Sequence, residues 1–211
     1  LSKPKYILGQ AVENPATAVE LVQKEQARLI QRLFAFIYRD NLSQEARTEY
    51  LRSHFDSSLR VSTSCASFLH ELAQNSSSAA ILQRILTLQQ CNQMYVHMIR
   101  DIREYSEAVS KLYYSTLENN DVLNIISEME DELCQTIQIL SDLAVQNSGV
   151  EQTRLYEELG TIHSGDKFAV HINEAQTLHS DHTAALRSVS VLLGRVTWSA
   201  QWYGQQLVNA E

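Results

Sequence analysis

Four histidines fall between residues 163 and 182: His163, His171, His179 and His182. Imidazole nitrogen is a common ligand for borderline metal ions, and residues three or four apart on a helix share a face. His179 and His182 have that spacing, with Glu174 and Asp181 near them in sequence, so this pair is one candidate for holding an ion. Against it, the two histidines straddle a turn expected at Ser180, and no Glu-x-x-His pair of the di-iron carboxylate kind accompanies them. Exposed or locally bonded histidines are the competing reading.

Other chemistry-bearing groups are less organised. The run Glu128-Met129-Glu130-Asp131-Glu132 could attract cations, but Met129 and Leu133 mark the buried side, so a solvated helix face is expected for the acids. Ser53, Ser57, Ser58, Ser62, Ser64 and Ser67 crowd one segment without a base at useful spacing. A Gly-rich phosphate loop, G-x-S-x-G and His-Glu-x-x-His are all absent, and an enzyme is not expected. Cys65, Cys91 and Cys134 are odd in number and lie among apolar residues, which suits buried free thiols in a reducing compartment. No cofactor is expected.

The elements that must position these groups are helices. Six glycines and two prolines in 211 residues are too few for a sheet protein rich in turns. The formal charge of −8 argues against a nucleic-acid partner, which requires a basic surface. No window is apolar enough for a membrane span, and no secretory leader precedes the first helix, so a soluble cytoplasmic domain is expected.

Asn14-Pro15 caps a first helix with Val22, Leu29, Ile30, Leu33, Phe36 and Ile37 on its apolar side, ending near Asp40-Asn41. Ser43 can cap a second, carrying Leu51, Phe55, Leu59, Cys65, Phe68, Leu69 and Leu72 to the break at Gln74–Ser78. Ser78 can cap a long third helix whose seam runs Ile81, Ile85, Leu88, Asn92, Tyr95, Ile99, Ile102, Ser106, Val109 and Tyr113. Glu118–Asp121 opens a fourth with Val122, Ile126, Met129, Leu133, Ile137, Leu140 and Ala144, and Gln146–Gly149 closes it. The fifth, through Leu155, Leu159, Ile162, Phe168, Ile172 and Leu178, is expected to be interrupted or bent near Gly165. Ser180 can cap a sixth with Leu186, Val189, Leu193, Val196, Ala200, Tyr203 and Leu207. The order helix, helix, long helix occurs twice. The expected fold is all-α, two tandem three-helix bundles of long antiparallel helices, with residues 1–13 a linker, 14–118 the first unit and 119–211 the second.

With this architecture stand three short pieces of text: Pro4-Lys5-Tyr6-Ile7, Asn14-Pro15-Ala16-Thr17-Ala18 and Lys24-Glu25-x-x-Arg28-Leu29. Together they resemble the PhoU-like C-terminal domain of bacterial sodium/phosphate cotransporters. The resemblance covers the chain as architecture and about thirty residues as text. It implies a cytoplasmic regulatory domain on the inner face of the bacterial inner membrane, joined to an upstream membrane domain that continues from the Met-less start. The expected partner is that membrane domain, with a homodimer as a further expectation and no small-molecule substrate bound here. A free-standing phosphate-signalling adaptor of the same fold is the alternative, and a metal-binding helical-bundle protein a more distant one.

The family carries an acidic motif on the third helix of each bundle, and carboxylates four apart share a helix face where they can hold several metal ions. Here Asn92 and Val96 stand at those places in Cys91–His97, and Ser190 and Gly194 in Val189–Arg195. Val and Gly side chains cannot ligate, and no multinuclear cluster is expected. Asn92 in an apolar seam either pins helix register or is a relic of the metal position. Trp198, Trp202 and Tyr203 read as core packing or as contact with a membrane or membrane domain.

Overall fold

The computed structural model describes residues 3–7, 14–37, 44–115, 119–146, 148–162, 164–174 and 179–209, apart from the side chains at 35–37, 44–52, 114, 164–166 and 174. Among the described residues there are seven helices and no strand: α1 Pro15–Ile37, α2 Gln44–Asn75, α3 Ala79–Ser115, α4 Asn120–Val145, α5 Gly149–Gly160, α6 Ser164–Glu174 and α7 Ser180–Asn209. The all-α expectation holds. The fifth element, expected to be interrupted or bent near Gly165, is two short helices. α5 closes at Thr161, whose N–H reaches the carbonyls of Glu158 and Leu159, so the break precedes Gly165.

Local chemistry accounts for the boundaries. Asn14 Oδ1 accepts the Thr17 N–H at 3.3 Å, and Pro15 occupies the first helical position, where its missing N–H is no loss. The Ser78 carbonyl accepts the Leu82 N–H, opening α3. Asn119 Oδ1 accepts the N–H groups of Asp121 and Val122, opening α4. At α7 the helix opens one residue earlier than expected: the His179 carbonyl accepts the Thr183 N–H at 3.0 Å, and Ser180 is already helical. The expected cap at Ser43 and the stop at Asp40-Asn41 lie outside the described residues.

The apolar seams converge on one connected core. Every seam residue expected on α7, from Leu186 to Leu207, is buried. On α3 the seam holds as far as Val109, after which Leu112, three residues on, is buried and Tyr113 is exposed. The most extensive helix–helix packing joins α3 to α7, and α7 also packs on α4, α5 and α6. α1 rests on α2, α3 and α4. Gly204 permits the close approach of α7: a Cβ there would lie 3.0 Å from Leu143 Cδ2 and 3.1 Å from Leu159 Cδ2.

Candidate functional site: a latch on the incoming chain

The buried side of α1 is not purely apolar. Glu25 is completely buried, and Gln26 beside it nearly so. Removing a carboxylate from water is costly unless it is paired and hydrogen-bonded. Glu25 meets that condition by gripping the chain that leads into α1. Its Oε2 accepts the backbone N–H of Lys5 at 2.7 Å and of Tyr6 at 2.9 Å. Its Oε1 accepts Arg28 Nε at 2.7 Å and also contacts Arg28 Nη2. Arg28 Nη2 in turn donates to the Lys3 carbonyl at 3.3 Å, and Ile7 packs against the core. Two texts twenty residues apart, Pro-x-Tyr and Lys-Glu-x-x-Arg-Leu, are therefore the two halves of one latch.

A polar lane continues behind it through α1, α2 and α3. Gln26 Nε2 donates to the Leu88 carbonyl at 2.8 Å. Asn92 and Ser62, both buried, exchange two bonds: Ser62 Oγ donates to Asn92 Oδ1 at 2.9 Å, and Asn92 Nδ2 donates to the Ser62 carbonyl at 3.0 Å. Burial pushes the Cys65 thiol up to about 12, with the nearby Glu25 charge adding to it. Burial likewise pushes the Cys91 thiol and the Tyr95 hydroxyl up to about 12, and raises the Tyr203 hydroxyl well above its ordinary range. At neutral pH these thiols are protonated and poor nucleophiles.

Asn92 is thus committed to α2. Val96 and Gly194 are half-buried and offer no ligand atom, and Ser190 is buried on α7. Arg195 pairs with Asp101, while Leu88 and Leu207 line one small cavity, which fixes α3 and α7 antiparallel. In that register Asn92 lies level with the neighbourhood of Tyr203 and far along the helix from Ser190. The four positions are not brought together, and their donor set does not fit a multinuclear metal cluster.

The histidines also disperse. The rings of His179 and His182 meet edge-on with centroids 6.0 Å apart, His179 exposed and His182 half-buried. His171 faces Glu128 across α4 and α6 at 3.5 Å. His163 and the Glu174 side chain lie outside the described residues. Among the described residues no group of three or more His, Cys, Asp or Glu side chains is placed to hold a metal ion.

Two expectations change. Glu132, expected on a solvated face, is buried and accepts Lys167 Nζ at 2.9 Å, because α6 folds back over that side of α4. Of the three terminal aromatics Tyr203 is buried, Trp202 half-buried and Trp198 60% exposed, so core packing does not hold for Trp198.

Between α3 and α7, Arg195 binds the nearly buried Asp101 and also reaches Glu104 at 3.5 Å. Burial raises the Asp101 carboxyl above the ordinary aspartate range; Arg195 and His97 oppose the shift and Glu104 adds to it. At the α5–α6 break, Gln201 Nε2 donates to the carbonyls of Leu159 and Ile162 at 3.0 and 2.9 Å, satisfying groups that the helix end leaves open. No helix among the described residues is long and apolar enough to cross a membrane. Comparison with protein-family models, with curated proteins and with solved structures finds no match to this chain.

Proposed function

We propose that the chain is the PhoU-like regulatory domain of a bacterial sodium/phosphate cotransporter, made of two three-helix units and held at the cytoplasmic face of the inner membrane. It is not an enzyme in this reading. Its partner is the membrane domain of the same polypeptide, upstream of residue 3. The observation that carries the reading is the latch: the very residues that resemble the family, Tyr6 with Glu25 and Arg28, meet at one part-buried contact. A helical bundle alone implies nothing specific, so the proposal rests on that text and its placement.

The mechanism is mechanical. A bundle fixed rigidly to the chain that leaves the membrane cannot pivot freely at Tyr6. Its docking on the cytoplasmic face is then coupled to the position of the last membrane helix, and it shifts transport only through contacts that differ between transporter conformations. Tethering at local concentrations on the order of millimolar keeps even a weak interface occupied. The complete reading frame tests the assignment: several apolar segments of about 20 residues are expected upstream. A frame that opens just before the latch, with none of them, would overturn it in favour of the free-standing adaptor.

A further inference from the structure

The latched segment, residues 3–7, lies along the seam between α1 and α2. Glu25, Arg28 and Arg32 follow one another on α1 at steps of three and four, and so do Ser57, Arg60 and Ser64 on α2. Arg32 Nη2 donates to Ser57 Oγ at 3.1 Å, and Cys65 lies close enough to Glu25 to feel its charge. These two stripes therefore run antiparallel, side by side. Residues 3–7 are bound to the first of them through Glu25 and Arg28. Arg60 stands on the other bank, close to the level of Arg28.

This arrangement gathers cations from three parts of the chain. Lys3 and Lys5 come from the latched segment, Lys24 from the turn of α1 just before Arg28, and Arg60 from α2, and all four are exposed. The latch uses only the main chain of Lys3 and Lys5 and leaves their ammonium groups outside, with Lys5 Nζ 5.1 Å over the Tyr6 ring. Among the described residues none of the four side chains is in an ion pair, whereas Arg28 is neutralised by Glu25. The nearest acids in sequence on these two helices, Glu20 and Asp56, stand about a turn beyond the group, at opposite ends of it. Most of the negative charge is elsewhere. Residues 120–174, which contain α4, α5 and α6, hold eleven of the 25 acidic residues and two of the 17 basic ones, a net of −9. Those three helices gather around α7, with α4 also reaching α1, while α2 packs on α1 and α3.

We infer that this face docks on an anionic lipid surface, with Lys3, Lys5, Lys24 and Arg60 among the headgroup phosphates and Tyr6 at the boundary. Each Lys or Arg held near such a surface adds to the attraction, and Tyr is an aromatic favoured where membrane meets water. The cations are spread over a face and do not converge on one point, which suits a layer of phosphates better than a single anion. An acidic protein is the rival. It would need a buried anchor at the centre of the contact, and here the centre is a half-buried Tyr6 ringed by lysine tips. The acid-rich helices fix the orientation: the field that draws in the latch repels α4–α6, so a chain of net −8 approaches by this face. Within the proposed function the surface is the inner leaflet beside the last membrane helix. Only that last identification rests on the transporter reading.

The test is flotation of the 211-residue chain with phosphatidylglycerol vesicles at about 0.1 M salt, where charges farther apart than about 10 Å are largely screened. Phosphatidylcholine vesicles, polyglutamate and inorganic phosphate are the comparisons. Binding to phosphatidylglycerol and not to phosphatidylcholine is expected, weakening as salt rises. Lys5→Gln with Lys24→Gln should lower the partition coefficient about 25-fold, about fivefold for each charge removed. Arg100→Gln with Lys111→Gln removes the same charge from exposed positions on α3 and should change it by less than about twofold. Thermal melts check that both double variants stay folded. No binding to phosphatidylglycerol, equal binding to phosphatidylcholine, or equal losses in the two double variants would overturn the inference. Polyglutamate bound as tightly as the vesicles, or release by phosphate beyond that by chloride at the same ionic strength, would overturn the lipid as occupant. Vesicle binding in a protein whose reading frame lacks membrane segments would uphold the surface while removing the transporter as its owner. Failed vesicle binding beside upstream membrane segments would do the reverse.

Discussion

The carboxylate of Glu25 accepts the backbone N–H of Tyr6 at 2.9 Å, tying the incoming chain to the middle of α1 rather than to its start. The contact reads only main chain on one side, so its strength depends on the buried acid. Glu25→Ala leaves the amides of Lys5 and Tyr6 and the Arg28 head without their acceptor. A loss of about 2–4 kcal/mol is expected, toward the lower end because Arg28 is partly solvated. Urea denaturation measures it, and faster hydrogen exchange at the Lys5 and Tyr6 amides should accompany it.

Asn92 and Ser62 fix the register of α3 on α2. Asn92→Ala leaves the Ser62 hydroxyl without its partner inside the core, for a loss of about 1–3 kcal/mol. Asn92→Asp puts a charge opposite a carbonyl oxygen and should destabilise further. Thermal melts with and without added divalent metal check both points; the metal is expected to restore nothing.

The apolar skeleton was legible because burial on a helix repeats every three or four residues, and the α7 seam from Leu186 to Leu207 is the plainest instance. Glu25 and Gln26 escaped that reading because periodicity scores a polar residue as surface whatever it binds. Glu132 escaped it for a related reason: the helix that covers it, α6, is thirty-odd residues away in sequence. The interruption expected near Gly165 begins at Thr161, where Gln201 of α7 caps the exposed carbonyls. Only the fold brings that side chain to them.

Asp101 makes the α3–α7 contact sensitive to pH. Its carboxyl is raised by burial, so the folded chain holds this proton more tightly than the unfolded one. The stability it contributes is fully present below the ordinary aspartate value of about 4 and is lost as pH rises through the raised value. Asp101→Asn should therefore flatten the dependence of the urea midpoint on pH across that window and leave the chain at least as stable at pH 7. A steeper profile in the variant would contradict this.

Gly204→Ala tests the close packing of α7. The added methyl meets the ends of Leu143 and Leu159 at about van der Waals overlap, and the gain in helix propensity offsets part of the cost. A net loss of about 1 kcal/mol is expected, and more for Gly204→Val, measured by denaturant titration.

In the proposed function a latched bundle regulates phosphate transport. The measurement is sodium-driven phosphate uptake in a phosphate-transport-deficient strain, at equal membrane abundance, comparing the full-length protein, the protein lacking residues 7–211 and the Glu25→Ala protein. Uptake is expected to persist in all three, with the truncation shifting its response to phosphate supply and the latch variant shifting it in the same direction. Identical rate, affinity and response in the full-length and truncated proteins would contradict the account.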